Sequence, residues 1–201
     1  YPTTRLIFGV QAVSALTTQL AAHCSIPPGQ PGWLPDPSTT GANRLEEVLA
    51  NLKYVDRFIP TNLTAPQVSQ VLWAGYGCTA HATSNGRAGL TVPSAYANYY
   101  LTRCIYLVNE DGVRRYQNRD AGGSASTRDH RLEPVAATAG GGRPRPGGAE
   151  GPPPTQVRTA LQAAVNGLPS APCYVILCLE TANVGQPYAQ LETGFVAGNM
   201  L

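Results

Sequence analysis

Seven consecutive residues, Cys173–Leu179 (CYVILCL), are almost continuously apolar. A run this short and this rich in branched residues reads as a central strand buried on both faces. The surrounding text supplies the partners such a strand needs. Leu101–Val108 (LTRCIYLV) reads as a strand, Asn109-Glu110-Asp111-Gly112 as a tight turn, and Val113–Tyr116 as the returning strand. Helices are predicted at Asn43–Leu52, with Leu45, Val48, Leu49 and Leu52 on one face, and at Val157–Val165. Another starts at Thr64, a natural N-cap, with Pro66 in its first turn and Val68, Val71 and Leu72 as its buried stripe. A last helix opens at Gln190, with Leu191, Phe195 and the Gly198/Met200/Leu201 end as candidates for its buried face. The expected fold is α+β, a small mixed sheet between helices.

The stretch Leu72–Tyr99 organises the middle of the chain. Gly75-Tyr76-Gly77 is expected to stop a helix, since glycine accepts a positive φ. A polar loop with Thr79, Ser84, Asn85, Gly86 and Arg87 follows. Pro93-Ser94 then reads as the start of a further helix, whose free N–H groups suit an anion or an electron-rich ring edge.

Two segments read differently. Residues 1–33 are predicted to form a helical arm, with Phe8, Val10, Val13, Leu16 and Leu20 at helical spacing, ending in a Pro-rich linker. The main domain would then be residues 34–201. Residues 117–154, rich in Gly, Pro, Ala and Arg, are expected to be a mobile surface insertion with no core of its own. Within it, Asp129–Pro134 has side chains suited to packing, and Asp129-His130 reads as a surface pair. Tyr1 is not Met and Leu201 interrupts an apolar pattern, so the sequence reads as one part of a longer chain.

Charge narrows the function. Charged residues make up 13% of the chain and the net charge is +2, with one lysine, Lys53, and scattered arginines. That pattern argues against nucleic acid. No run reaches the roughly 18 apolar residues of a membrane span. The five cysteines are widely spaced, without CxxC or zinc spacing. They point to a reducing, cytoplasmic compartment and to no metal site.

Several pieces, in order, carry a resemblance: Leu34-Pro35-x-Pro37, Leu45–Leu49, Arg57-Phe58, Ser69-x-Val71-Leu72-Trp73-Ala74-x-Tyr76-Gly77 and Val92–Ala95. They continue with Gly112-Val113-x2-Tyr116, His130-x-Leu132, Val157-Arg158-x-Ala160-Leu161, Ala171–Leu177 and Glu192-Thr193-Gly194. Over about residues 34–201 the chain resembles the nitroreductase-like flavoproteins, closest to azoline dehydrogenases of the streptolysin S type. That resemblance implies a nitroreductase-like fold, incomplete at its C-terminus. It also implies an FMN-dependent oxidoreductase that passes hydride through the flavin to a small-molecule or peptide substrate. It further implies a homodimer, or a further polypeptide segment completing the domain. By matching positions, Lys53 and Arg57 would hold the FMN phosphate. Pro93, Ser94 and Ala95 would lie along the flavin ring, with the Glu192-Thr193-Gly194 backbone close by and Arg87 within reach. Tyr54, Asp56 and Tyr96 depart from the family pattern. They support an alternative: a nitroreductase-like subunit that has lost its flavin site and acts in binding or assembly.

Overall fold

The computed structural model describes residues 7–9, 32–53, 55, 57–83, 86, 88–119, 128–135 and 154–201. Five strands form one sheet in the order β1 (Ile7–Gly9), β7 (Tyr174–Leu177), β4 (Ile105–Asn109), β5 (Gly112–Arg119), β6 (Arg128–Pro134). A separate ribbon pairs β2 (Cys78–Ala82) with β3 (Ala88–Leu90). The helices are α1 (Leu45–Ala50), α2 (Ala65–Tyr76), α3 (Pro154–Ala164) and α4 (Pro187–Met200). The class is α+β, as expected. The sheet is not mixed: every described ladder is antiparallel. Successive strands here are joined by hairpins or meet from distant segments, so no parallel crossover arises.

The expected β7 lies between β1 and β4, and it divides the core. Val175 faces a large cluster with Leu72 and Tyr76 of α2, Val196 and Met200 of α4, and Ile105 and Leu107 of β4. Tyr174 faces the other way, toward Val108 and Ala171, with Phe58, Val157 and Leu161 of α3 packed against them. The period-2 alternation of a strand produces this split. The structure is therefore three-layered, with α2 and α4 on one face and α3 on the other.

Local signals explain much of this. Gln67 Oε1 accepts from the Thr64 N–H at 2.8 Å and from the Thr64 hydroxyl at 3.0 Å, so the start of α2 is closed by its own first turn. The β4–β5 hairpin turns at Asn109–Gly112, where Asn109 Oδ1 accepts from the Asp111 N–H and Gly112 takes a φ of 117°. α2 does end near Gly77, but Gly77 is extended at φ −78°, not left-handed. Gly75 is needed for space instead: a Cβ there would collide with Met200, where α2 and α4 pack.

Other expectations are corrected. Within the predicted helical arm, Ile7–Gly9 is a strand, with Phe8 opposite Val175; most of the arm lies outside the described residues. The Thr79 loop contains the β2–β3 ribbon. Both margins of the 117–154 insertion are folded: Gln117, Asn118, Asp129 and Leu132 are buried in or beside the β5–β6 ladder, and α3 starts at Pro154. Leu191 and Phe195 face outward, 56% and 41% exposed, while Ala189, Glu192, Val196, Ala197 and Met200 form the inner face of α4. The Leu45, Val48, Leu49 face of α1 is likewise exposed.

His130 is not a surface residue. Its ring bridges Tyr116 Oη at 2.8 Å through Nδ1 and Ser69 Oγ at 2.7 Å through Nε2. Ser69 is fully buried and donates its own proton to the Pro35 carbonyl. The proton order follows: Nε2–H donates to Ser69, and Nδ1 accepts from the Tyr116 hydroxyl. Leu34 N–H adds a bond to the His130 carbonyl at 2.9 Å. Four pieces of the resemblance, around Pro35, Ser69, Tyr116 and His130, are thus joined in one chain of bonds. Burial lowers His130 from 6.5 to about 4, against the pull of Asp36.

The unfolded chain, with an ordinary His130, binds the extra proton first, so this residue's contribution is complete above pH 6.5 and lost as pH falls toward 4. The loss should be at most about 3 kcal/mol. Urea unfolding at pH 7, 5.5 and 4 should show a stability slope that His130→Asn flattens.

Candidate functional site

Four non-glycine residues among those described have left-handed backbone: Tyr96 (φ 55°), Ala97 (52°), Tyr99 (54°) and Arg103 (64°). All lie within one stretch of eight. Such conformations cost on the order of 1 kcal/mol or more each and persist only where the surroundings hold them, often at functional sites. The holding groups are visible. Ser94 Oγ accepts from the Tyr99 N–H at 2.8 Å. Tyr99 Oη accepts from the Leu90 N–H at 3.3 Å, and its ring meets Tyr76 edge-on at 6.3 Å. The sequence predicts a helix after Pro93-Ser94; the chain makes only the short 3-10 turn Ala95–Ala97. The left-handed residues end the turn before a helix can propagate.

Beneath this stretch lies Glu192, 1% exposed. Its Oε1 accepts from the Tyr76 hydroxyl at 2.6 Å and from the Leu101 N–H at 3.2 Å. Leu101 N–H also reaches Tyr76 Oη at 3.1 Å. Burial, then the Glu192 carboxylate, push the Tyr76 phenol well above its ordinary range, so it remains a donor. Glu192 Oε2 is buried with no hydrogen-bond partner among the described residues.

The stretch also runs along α4. Asn199 Nδ2 donates to the Thr91 carbonyl at 3.3 Å near the end of α4, while Tyr96 meets Tyr188 edge-on at 6.4 Å near its start. The outer surface here carries Tyr96, 81% exposed, with Tyr188, Leu191 and Phe195. Gly194 and Gly198 have open space where a Cβ would be.

The structure thus brings Pro93, Ser94 and Ala95 alongside the helix that carries Glu192, Thr193 and Gly194. It corrects how the latter act. α4 starts at Pro187, so these three lie inside the helix and offer no helix-start N–H groups. Glu192 points into the core, and the Thr193 hydroxyl donates to the Ala189 carbonyl at 2.8 Å. Lys53 and Arg57 are exposed and do not join this group. Arg57 precedes Phe58, which packs on the α3 face, opposite to α4. Beside it, Phe58, Pro60, Arg158, Gln162 and Pro172 help line a cleft of about 360 Å³. Arg158 Nη1 donates to the Pro172 carbonyl there at 3.1 Å. Arg87, Tyr54 and Asp56 lie outside the described residues. Sequence reading missed Tyr76, Tyr99 and Tyr188. Tyrosines at three separated positions carry no shared local spacing that would group them. No described cluster of His, Cys, Asp or Glu is placed to hold a metal ion, and no described helix is long and apolar enough to cross a membrane.

No protein-family model matches this chain, and no curated protein matches it.

Glu192→Ala should cost about 2–4 kcal/mol, because it opens a cavity and strips the acceptor from a buried phenol. Glu192→Gln, which keeps an acceptor oxygen, should cost less. Ser94→Ala removes the partner of the buried Tyr99 N–H and should cost about 1–3 kcal/mol. Urea unfolding of the variants checks these values.

Proposed function

We propose that this chain is an FMN-dependent oxidoreductase of the nitroreductase type whose flavin lies between two copies. The supporting observation is the strained Pro93–Arg103 stretch, held along α4 beside exposed aromatic surface and the open flank at Gly194 and Gly198. Backbone held in this way is ready to meet a flat ring without further ordering. Ser94, whose oxygen accepts from Tyr99, still has a proton to donate outward. Lys53 and Arg57 are exposed cations suited to a phosphate. Because Arg57 adjoins Phe58, which packs on the side of the sheet opposite to Ser94, phosphate and ring contacts would come from different protomers. Bound FMN would supply hydride transfer; the protein would position ring and phosphate and exclude water. Glu192 would act as a positioning residue, holding the backbone at Leu101 without touching the ring.

A second reading has its own support. Glu192 is turned inward, and Arg57 adjoins Phe58 on the side of the sheet opposite to Ser94. Both fit a nitroreductase-like subunit that has lost flavin and serves in assembly.

The purified chain, soaked with FMN and desalted, separates the two. Retained flavin absorbance near ~450 nm, released on heating, is the expected result. The double variant Lys53→Ala with Arg57→Ala should then bind FMN at least about tenfold more weakly, the loss of one to two charge-assisted contacts. A colourless chain after soaking favours the second reading.

A further inference from the structure

β4 and β7 pair with Ile105 opposite Leu177 and Tyr106 opposite Ile176. Carried one step outward, that register opposes Cys104 to Cys178. The Cys178 N–H donates to the Cys104 carbonyl at 2.9 Å, the bond made by directly opposed residues of an antiparallel pair. Residues opposed in this way have Cα atoms roughly 5.5 Å apart and side chains on the same face. A disulfide requires Cα separations of roughly 4.4–6.8 Å. Neither cysteine is in a disulfide here; Cys178 is exposed and Cys104 half-buried.

The pair closes the end of its ladder. The Cys104 N–H does not complete the exchange with Cys178 but returns to the Leu101 carbonyl at 2.9 Å, closing the turn that holds left-handed Arg103. Tyr106, two residues along β4, is pushed up by burial and then by the Cys104 and Cys178 thiols, so both sulfurs lie near its ring; Cys104 also packs against the edge of the cluster around Leu72 and Ile105. Burial, then Glu180, then Cys178 push the Cys104 thiol up, with Arg115 opposing. The exposed Cys178 is therefore the sulfur an oxidant meets first.

We propose that Cys104 and Cys178 form a redox-active dithiol, closed by a peroxide into a cross-strand disulfide and reopened by thiol reductants. The Cys178 thiolate attacks one peroxide oxygen, the O–O bond breaks, and the departing hydroxide takes up a proton to leave as water. Cys104 sulfur then attacks the Cys178 sulfenic acid. The S–O bond breaks, the S–S bond forms, and a second water leaves with the Cys104 proton. The two thiols lose two electrons, and one peroxide becomes two waters. The bridge joins the segment ending at Arg103, one side of the candidate site, to the connection that leads from β7 into α4. It stands whether or not the chain binds flavin.

The experiment treats the native full chain with excess hydrogen peroxide, alkylates remaining thiols, digests with trypsin and chymotrypsin, and reads cross-linked peptides by mass spectrometry. A Cys104–Cys178 peptide is expected, lost on reduction with dithiothreitol. It should be absent in Cys104→Ser and Cys178→Ser and retained in Cys173→Ser. The oxidised chain should also unfold about 5 °C or more higher, a shift Cys178→Ser abolishes. The proposal is overturned if both residues stay alkylated, if bridges join other cysteines or two chains, or if Cys178 over-oxidises while Cys104 remains a thiol.

Discussion

A carboxyl group with almost no exposed surface ties three elements together. Glu192 of α4 takes the Tyr76 hydroxyl of α2 and the Leu101 N–H of the turn before β4. Helix packing alone would fix the distance between α2 and α4, which meet where Gly75 leaves room for Met200. It would not fix their register, because apolar contacts are not directional. A buried acid is costly unless its partners are aligned, so Glu192 selects one arrangement of helices and turn. The strained residues from Tyr96 to Arg103 are attached to that point.

The far side of the same face is fixed by a neutral imidazole. His130 connects β6 to α2 through Ser69 and to β5 through Tyr116, and Ser69 passes the link to Pro35. Each donor in this series has one acceptor, and reversing any proton would leave two groups in conflict. Pro35, Ser69, Tyr116 and His130 are far apart in the chain, and nothing in their local spacing announces that they meet. Their bonding is a property of the folded chain alone.

Legibility followed the range of the interaction. The Asn109–Gly112 hairpin, the Thr64 cap with Pro66 in the first turn, and the apolar β7 were all readable, because turn chemistry, capping and strand burial act over a few residues. β6 was not, since Arg128–Pro134 is charged at alternate positions and pairs only because β5 and the segment at Gly32–Leu34 lie on either side. On α4 the sequence points to Met200, which is buried, and to Leu191 and Phe195, which are not; Glu192 is inside instead, since its partners Tyr76 and Leu101 are about 90 to 116 residues away in sequence. Arg57 is legible as a cation, but its side of the sheet depends on where Phe58 packs.

Taken alone, the amino-acid order determined that this chain is α+β, where its hairpin turns, and where α2 starts, because those features are written in neighbouring residues. Only the tertiary structure decided which flank of α4 is buried, that the Pro93-Ser94 step makes a strained turn and not a helix, and that Cys104 faces Cys178. Those outcomes rest on bonds between distant segments, whose geometry exists only once the sheet and its two layers of helices have assembled.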